Sequence, residues 1–294
     1  MIRICPGPDP NPRPPRLPAP PGATDTHCHI FGPQDQYPYV AGRRFTPPDA
    51  TVASYLHMHR TLGLSRAVLV QPSGYGTDNR RQLDAAREMG IETRVNVVLR
   101  PEVTDREIED LHRAGARGVR FIPTQPGGLP LSELERFGDR LAPLGWHVQL
   151  MLGPEHLVEL APRLLKLRCD FVIDHMSDIH AADGQQQPAF QALLRVLREG
   201  RGWTKLSAGY HLSEQEPPYP EVIPLVNALV AARPDRLLWG SDWPHANHYG
   251  KMPNSTDLFD QLLDWVPDET LRTRILVDNP ARLYGFNLVK EDAL

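Results

Sequence analysis

Eight short runs of apolar and β-branched residues recur along the chain: Gly22–Asp25, Ala67–Gln71, Thr93–Val98, Gly118–Ile122, His147–Met151, Phe171–His175, Thr204–Ser207 and Leu237–Ser241. Each has the length of a strand, and segments with helical period lie between them. Such alternation is the pattern of parallel strands joined by crossover helices. Eight units in about 270 residues match a closed (β/α)8 barrel of the TIM type, and with it the α/β class. A doubly wound open sheet would share the alternation, but its Gly-rich dinucleotide turn does not occur in this sequence.

The helix signals are local. Thr104 followed by Glu107 reads as a capping box, Ile108 and Leu111 share a helical face, and Gly115 can end the helix. Asp78 can cap a helix that closes at Gly90. Further helices are expected over Leu131–Leu144, Pro154–Leu167, Pro188–Glu199, Glu221–Ala232, Thr256–Leu263 and Glu269–Leu276, each with a leucine stripe for packing on the barrel. Residues 1–21 differ: prolines from Pro6 to Pro21 favour an extended arm without internal hydrogen bonds. No linker or composition shift follows, so residues 22–294 are expected to form one distorted barrel.

Charge and cysteine content narrow the function. With 32 basic and 36 acidic residues interleaved, the formal charge of −4 offers no footprint for nucleic acid or a membrane surface. A small-molecule partner fits better. Cys5, Cys28 and Cys169 are too scattered for a disulfide framework or a C-x-x-C metal site, and suit a reducing cytoplasm. No stretch approaches the roughly 20 apolar residues of a spanning helix, and no signal-peptide core opens the chain. The expectation is a cytoplasmic monomer or small homo-oligomer.

In a barrel of this type the reactive groups stand at the C-terminal ends of the strands. The polar residues in those positions are His27 and His29, then Gln71 and Ser73, Arg120, Asp174-His175, and Ser241-Asp242 ahead of Trp243-Pro244-His245. His27 and His29, two residues apart, share one face of an extended strand. Convergent imidazoles suit a metal or a charged pocket, although two ordinary hydrogen-bonded histidines have the same spacing. Asp242 is the general-base candidate, since a carboxylate among imidazoles stays ionised and can take a proton from water; its alternative role is to cap the loop after it. His175 can polarise a carbonyl, orient a water or bind metal, or simply bond backbone carbonyls, and Asp174 beside it is expected on the opposite face. Arg120 needs an anion, either a substrate carboxylate gripped bidentately or an internal salt bridge. Tyr75, His211, His245 and Asn247 fall in rim loops aimed at a ligand, whereas His57, His59, His112, His156 and His248 read as surface groups.

Taken in order, these blocks resemble the amidohydrolase superfamily, in its 2-pyrone-4,6-dicarboxylate lactonase-like branch. The resemblance is carried by Gly22–Pro33 with its Thr-His-Cys-His core, Val68–Ser73 with Tyr75–Asn79, Gly118–Phe121, Val172–Met176, Trp239–His245 and Asp278–Gly285. It implies a barrel that hydrolyses a lactone, a carboxylic ester of aromatic-compound catabolism, with the strand-eight carboxylate activating water and no required metal. Other superfamily members hold a divalent ion such as zinc or manganese between the strand-one histidines, a strand-five residue and the strand-eight aspartate. In this chain His27, His29 and Asp242 would be the metal ligands if one were bound, joined by His175. The strand-five position reads Met151, whose thioether is a poor ligand for either ion, so the expectation leans to metal independence.

The departures from the pattern bear on substrate. Arg120 matches one carboxylate-gripping arginine of that branch, but the loop Ile122-Pro123-Thr124-Gln125-Pro126 lacks another, Met151 replaces a tyrosine, and Tyr210-His211 stands where a further arginine is expected. An unpaired buried carboxylate costs several kcal/mol, which disfavours a dicarboxylate and favours a lactone with one carboxylate. In this reading Asp242, His175, His27 and His29 are catalytic, while Arg120, Ser73, Tyr75, His211, His245 and Asn247 bind substrate. Two alternatives stay open: a metal-dependent decarboxylase of the same superfamily, and a non-catalytic barrel that binds a small acid.

Overall fold

The computed structural model describes residues 2–123 and 128–287. Among these, eight parallel strands form one sheet in chain order: β1 (Thr24–Cys28), β2 (Arg66–Val70), β3 (Glu92–Val97), β4 (Ala116–Phe121), β5 (His147–Leu150), β6 (Phe171–Ile173), β7 (Gly202–Leu206) and β8 (Leu237–Trp239). The ring closes between the last strand and the first. Thr26 Oγ1 donates to Trp239 O at 2.6 Å, the Asp242 amide to His27 O at 2.8 Å and the His29 amide to Trp243 O at 2.8 Å. A Cβ on Gly240 would lie 2.6 Å from the His27 Cβ, so only glycine allows β8 to approach β1 this closely. The distorted α/β barrel of the TIM type is therefore the fold.

The helices follow their sequence signals. The expected Pro188–Glu199 helix forms over that span, with proline in its first turn, Gly200 after it, and Phe190, Leu193 and Leu197 buried. Thr104 and Glu107 make the reciprocal capping box ahead of Asp105–Arg113. The segment 131–144 divides into Leu134–Leu141 flanked by single 3-10 turns, and the Glu269 helix passes after Thr273 into a π turn at Arg274–Asp278. Val68, Val172 and Leu238, from alternate strands, pack one apolar layer in the barrel interior with Tyr284.

β6 and β8 stop two residues before the sequence runs end. Their chains turn into left-handed backbone, with φ between 48° and 61° from His175 to Asp178 and 58° at Asp242. The arm lies along the barrel: Arg3–Ile4 pairs in parallel with Phe45–Thr46, the Ala19 amide donates to Leu62 O, and Arg13 and Arg16 pair with Asp257 and Asp264 of the helix Ser255–Trp265.

Candidate active site

Three of the nominated side chains converge on one oxygen atom of a fourth. Asp242 Oδ1 lies 3.5 Å from His175 Nε2, 3.6 Å from His27 Nε2 and 3.8 Å from His29 Nε2. β1 supplies His27, and His29 is the first residue past its end; their rings stand 5.0 Å apart, while left-handed turns carry His175 and Asp242 to the same mouth. Non-glycine residues in that region cost about 1–3 kcal/mol each and persist only where the surroundings hold them.

The ring partners assign tautomers. His29 Nδ1 sits 2.6 Å from Val70 O, which only accepts, so Nδ1 carries the proton and Nε2 presents a lone pair to the site. His175 Nδ1 is 2.8 Å from Ser207 Oγ, a group that can give or take. His27 Nδ1 lies between Lys205 Nζ at 3.0 Å and Asp174 Oδ1 at 3.3 Å. Burial, with the charge of Lys205, pushes His27 far below its ordinary pKa; burial and then Arg120 bring His29 to about 4, and burial lowers His175 against three nearby carboxylates. Burial works to raise Asp242, but His175, His27, His29 and a hydrogen bond from Tyr210 hold it well below the usual carboxylate range. The mouth is thus one ionised carboxylate among neutral imidazoles.

These donors fit a divalent cation. His27, His175 and Asp242 offer ligand atoms within 4.8 Å of one another, and His27 Nε2 is buried without a hydrogen-bond partner. Each ring is also held from behind through Nδ1, as ligating histidines are.

Beneath the mouth lies a second charged layer, in which Arg120 has the internal salt bridge that was one of its two expected partners and Lys205 is a residue the sequence reading missed. Asp174 Oδ1 is 3.2 Å from Lys205 Nζ, and Asp174 Oδ2 takes Arg120 Nη2 at 3.2 Å and Gln149 Nε2 at 2.9 Å. Asn96 donates in turn to Gln149. Asp174 was expected on the opposite face from the site; it points into the barrel instead. With Val172 facing inward, strand alternation turns Asp174 inward too, and the left-handed turn then brings His175 round as well. A lysine inside the short apolar run Thr204–Ser207 was the available signal for Lys205.

The other nominated residues separate. Arg120 has the internal partner Asp174, and its Nη1 donates to Gln71 O, while Met151 Sδ stands 3.5 Å from Nη2. Ser73 is half-buried in the turn after β2. Tyr75, expected at the rim, is instead buried against Phe31 and Tyr39, and its hydroxyl accepts from the Gly32 amide, because the turn folds its ring inward. His211 pairs with Asp178 at 3.0 Å; burial opposes its charge, yet Asp178 raises its pKa. His245 is buried behind Tyr210, and Asn247 is exposed. His59, read as a surface group, is buried with Nε2 3.2 Å from Arg66 O. Thr124–Pro126 of the arginine-poor loop lie outside the described residues. Tyr210, absent from the sequence candidates, donates to Asp242 Oδ2 at 2.5 Å.

Residues 24–286 match the family model described as amidohydrolase. The chain belongs to that family. It is 38% identical over 286 residues to a 4-sulfomuconolactone hydrolase of Hydrogenophaga intermedia, covering 96% of this chain and 94% of the relative. A 2-pyrone-4,6-dicarboxylate hydrolase of Comamonas testosteroni is 36% identical, with 93% of each chain covered. The solved apo structure of an Agrobacterium tumefaciens protein superposes with a TM-score of 0.85 at 31% identity, over 94% of this chain and all of that one. The amidohydrolase barrel and the lactonase-like branch that the motifs pointed to are both borne out.

Proposed function

We propose that this amidohydrolase opens a small lactone carrying an anionic group, by attack of a water that Asp242 deprotonates. The observation that carries the reading is the convergence of His27, His29 and His175 on one oxygen of ionised Asp242, in a chain whose relatives are named lactone hydrolases. Asp242 Oδ1 takes the water proton as the water oxygen bonds to the carbonyl carbon. The ring C–O bond then breaks, and the leaving alkoxide recovers the proton from Asp242.

The tautomers divide the work of the imidazoles. Neutral His29 has no Nε2 proton, so it accepts from the water and cannot serve an oxyanion. His27 and His175 can donate through Nε2–H when Lys205 and Ser207 donate to their Nδ1 atoms. One such donor aimed at the developing oxyanion is worth about 2.7–4 kcal/mol. Lys205 and Arg120 outnumber Asp174 by one positive charge in the layer below, which supports a substrate with one carboxylate, with Arg120 and Ser73 as its holders.

A divalent ion held by His27, His29, His175 and Asp242 would supply Lewis-acid polarisation of the carbonyl and a more acidic water. We infer that hydrolysis does not require it. Met151 at the strand-five position is a poor ligand for zinc or manganese, and Lys205 Nζ, 3.0 Å behind His27, opposes a second cation on that ring. The proposed compartment is the cytoplasm, supported by Cys5, Cys28 and Cys169 all being free and buried; among the described residues no helix is long and apolar enough to cross a membrane.

The test is acid release, followed with a pH indicator, from aromatic-derived and sugar-derived lactones before and after chelation. Release from monocarboxylated lactones that survives chelation is expected. Binding without release would leave the non-catalytic barrel standing, and stoichiometric zinc or manganese with activity lost on chelation would favour the metal-dependent lyase.

A further inference from the structure

The two oxygens of Asp242 have different surroundings. Oδ1 faces the three imidazoles, whereas Oδ2 receives the Tyr210 hydroxyl at 2.5 Å. Tyr210 sits on a single helical turn, Gly209–Leu212, entered through the left-handed backbone of Ala208. Its ring meets His245 edge-on at 5.8 Å, and His245 Nδ1 lies 3.4 Å from the same hydroxyl. His245 Nε2 is in turn 3.0 Å from Ser255 Oγ, and the His245 amide donates to Asp242 O at 2.7 Å.

The proton order along this line is set by what each group can do. An ionised carboxylate only accepts, so Tyr210 gives its single hydroxyl proton to Oδ2. The tyrosine oxygen then accepts from His245 Nδ1–H, which leaves His245 Nε2 as the acceptor for Ser255 Oγ–H. Every member is satisfied and no two lone pairs oppose.

We propose that Tyr210, braced by His245 and Ser255, is the positioning residue that pins Asp242 Oδ2 and so reserves Oδ1 to take the water proton. Tyr210 touches the carboxylate rather than the reacting carbon, and it acts through Asp242. This inference rests on the hydrolytic reading above. Free of Tyr210, the carboxylate would rotate about its last bond and present either oxygen to the water at poorer angles. A hydrogen bond to a charged group of this kind corresponds to about 10- to 100-fold in rate.

Three measurements on the full chain test it. Tyr210→Phe is expected to lower kcat by about 10- to 100-fold with KM within about threefold, while Ser255→Ala, at the far end of the line, lowers kcat by about two- to fivefold. In the Asp242→Asn background Tyr210→Phe should add no further loss, because residues that act as a unit are not additive. A crystal structure of Tyr210→Phe should show the Asp242 carboxylate rotated or in two orientations. An unchanged kcat, a loss carried wholly by KM, a multiplied loss in the double variant, or an unmoved carboxylate would each overturn the proposal. If the native chain releases acid from no lactone, the hydrolytic reading fails by itself, and the orientation of the carboxylate still decides the role of Tyr210.

Discussion

Asp174 and Asp242 follow two strands of the same barrel, β6 and β8, and their partners give them opposite characters. Asp174 is buried between Lys205 on one oxygen and Arg120 on the other, which it shares with Gln149. Burial works to raise its pKa, yet Lys205, His27 and Arg120 hold it far below the ordinary range. Asp242 is also ionised and nearly buried, but it faces neutral imidazoles and a phenol. Cationic neighbours neutralise the first carboxylate, so it has a structural role. Neutral neighbours leave the second with its charge uncompensated, in keeping with the general-base role proposed for it.

The largest expected effect separates the two. Asp242→Asn should lower kcat by about 10²–10⁴ while the melting temperature holds, since asparagine still accepts from Tyr210. Asp174→Ala should instead lower the melting temperature. Removing the carboxylate bonded to both Lys205 and Arg120 leaves two buried cations without their shared partner, a loss of about 3–5 kcal/mol, or roughly 10 °C in Tm. Adding Lys205→Met to that variant should restore part of the loss. Thermal melts of the three variants beside their lactone turnover check the contrast, and an Asp174→Ala protein as stable as the native one would break it.

Acid sharpens the comparison by another route. His147, in the barrel interior, and His59, behind the sheet, are pushed by burial to about 3 and about 4. Below the ordinary value of 6.5 the unfolded chain binds protons that the folded chain refuses, so stability is full above that pH and falls as pH drops towards 4. Each histidine should cost about 2 kcal/mol by pH 5. Urea unfolding at pH 7 and pH 5 measures the slope, and His59→Gln should flatten it by one histidine's share.

Where the backbone is regular, the sequence could be read to within a residue or two. Pro188–Glu199 is bounded by its own proline and by Gly200, and the capping box at Thr104 is a local hydrogen-bond pattern that needs no tertiary context. His27, His29, His175 and Asp242 stood out because each ends an apolar run. Alternation assumes extended backbone, however, and it was applied from the wrong residue at Asp174, where the strand gives way to the positive-φ turn at His175–Asp178. Lys205 and Tyr210 were harder to see. A lysine in a strand reads as a solvated edge until the partners that pay for its burial are located, and those are Asp174 at the end of β6 and His27 on β1. Tyr210 lies beyond the end of β7, placed by a turn with no sequence signature. Tyr75 was misplaced for a related reason: its hydroxyl serves the Gly32 amide, 43 positions away in the chain.

The smallest expected effect lies where charge meets water. Arg16 of the arm pairs with Asp264 at 2.7 Å, but the arginine side chain is 56% exposed. Exposed pairs of this kind contribute about 0–1 kcal/mol, and salt screens them. Arg16→Ala should therefore move the melting temperature by about 2 °C or less, and the difference should vanish in concentrated salt while kcat stays unchanged. The Arg16 amide bond to Asp260 and the Ala19 amide bond to Leu62 O survive the substitution, so the arm keeps its backbone contacts. A larger shift, or one that persists in salt, would mean that the arm is held by the charge itself, and that the distinction between buried and exposed ion pairs drawn from Asp174 fails at the surface.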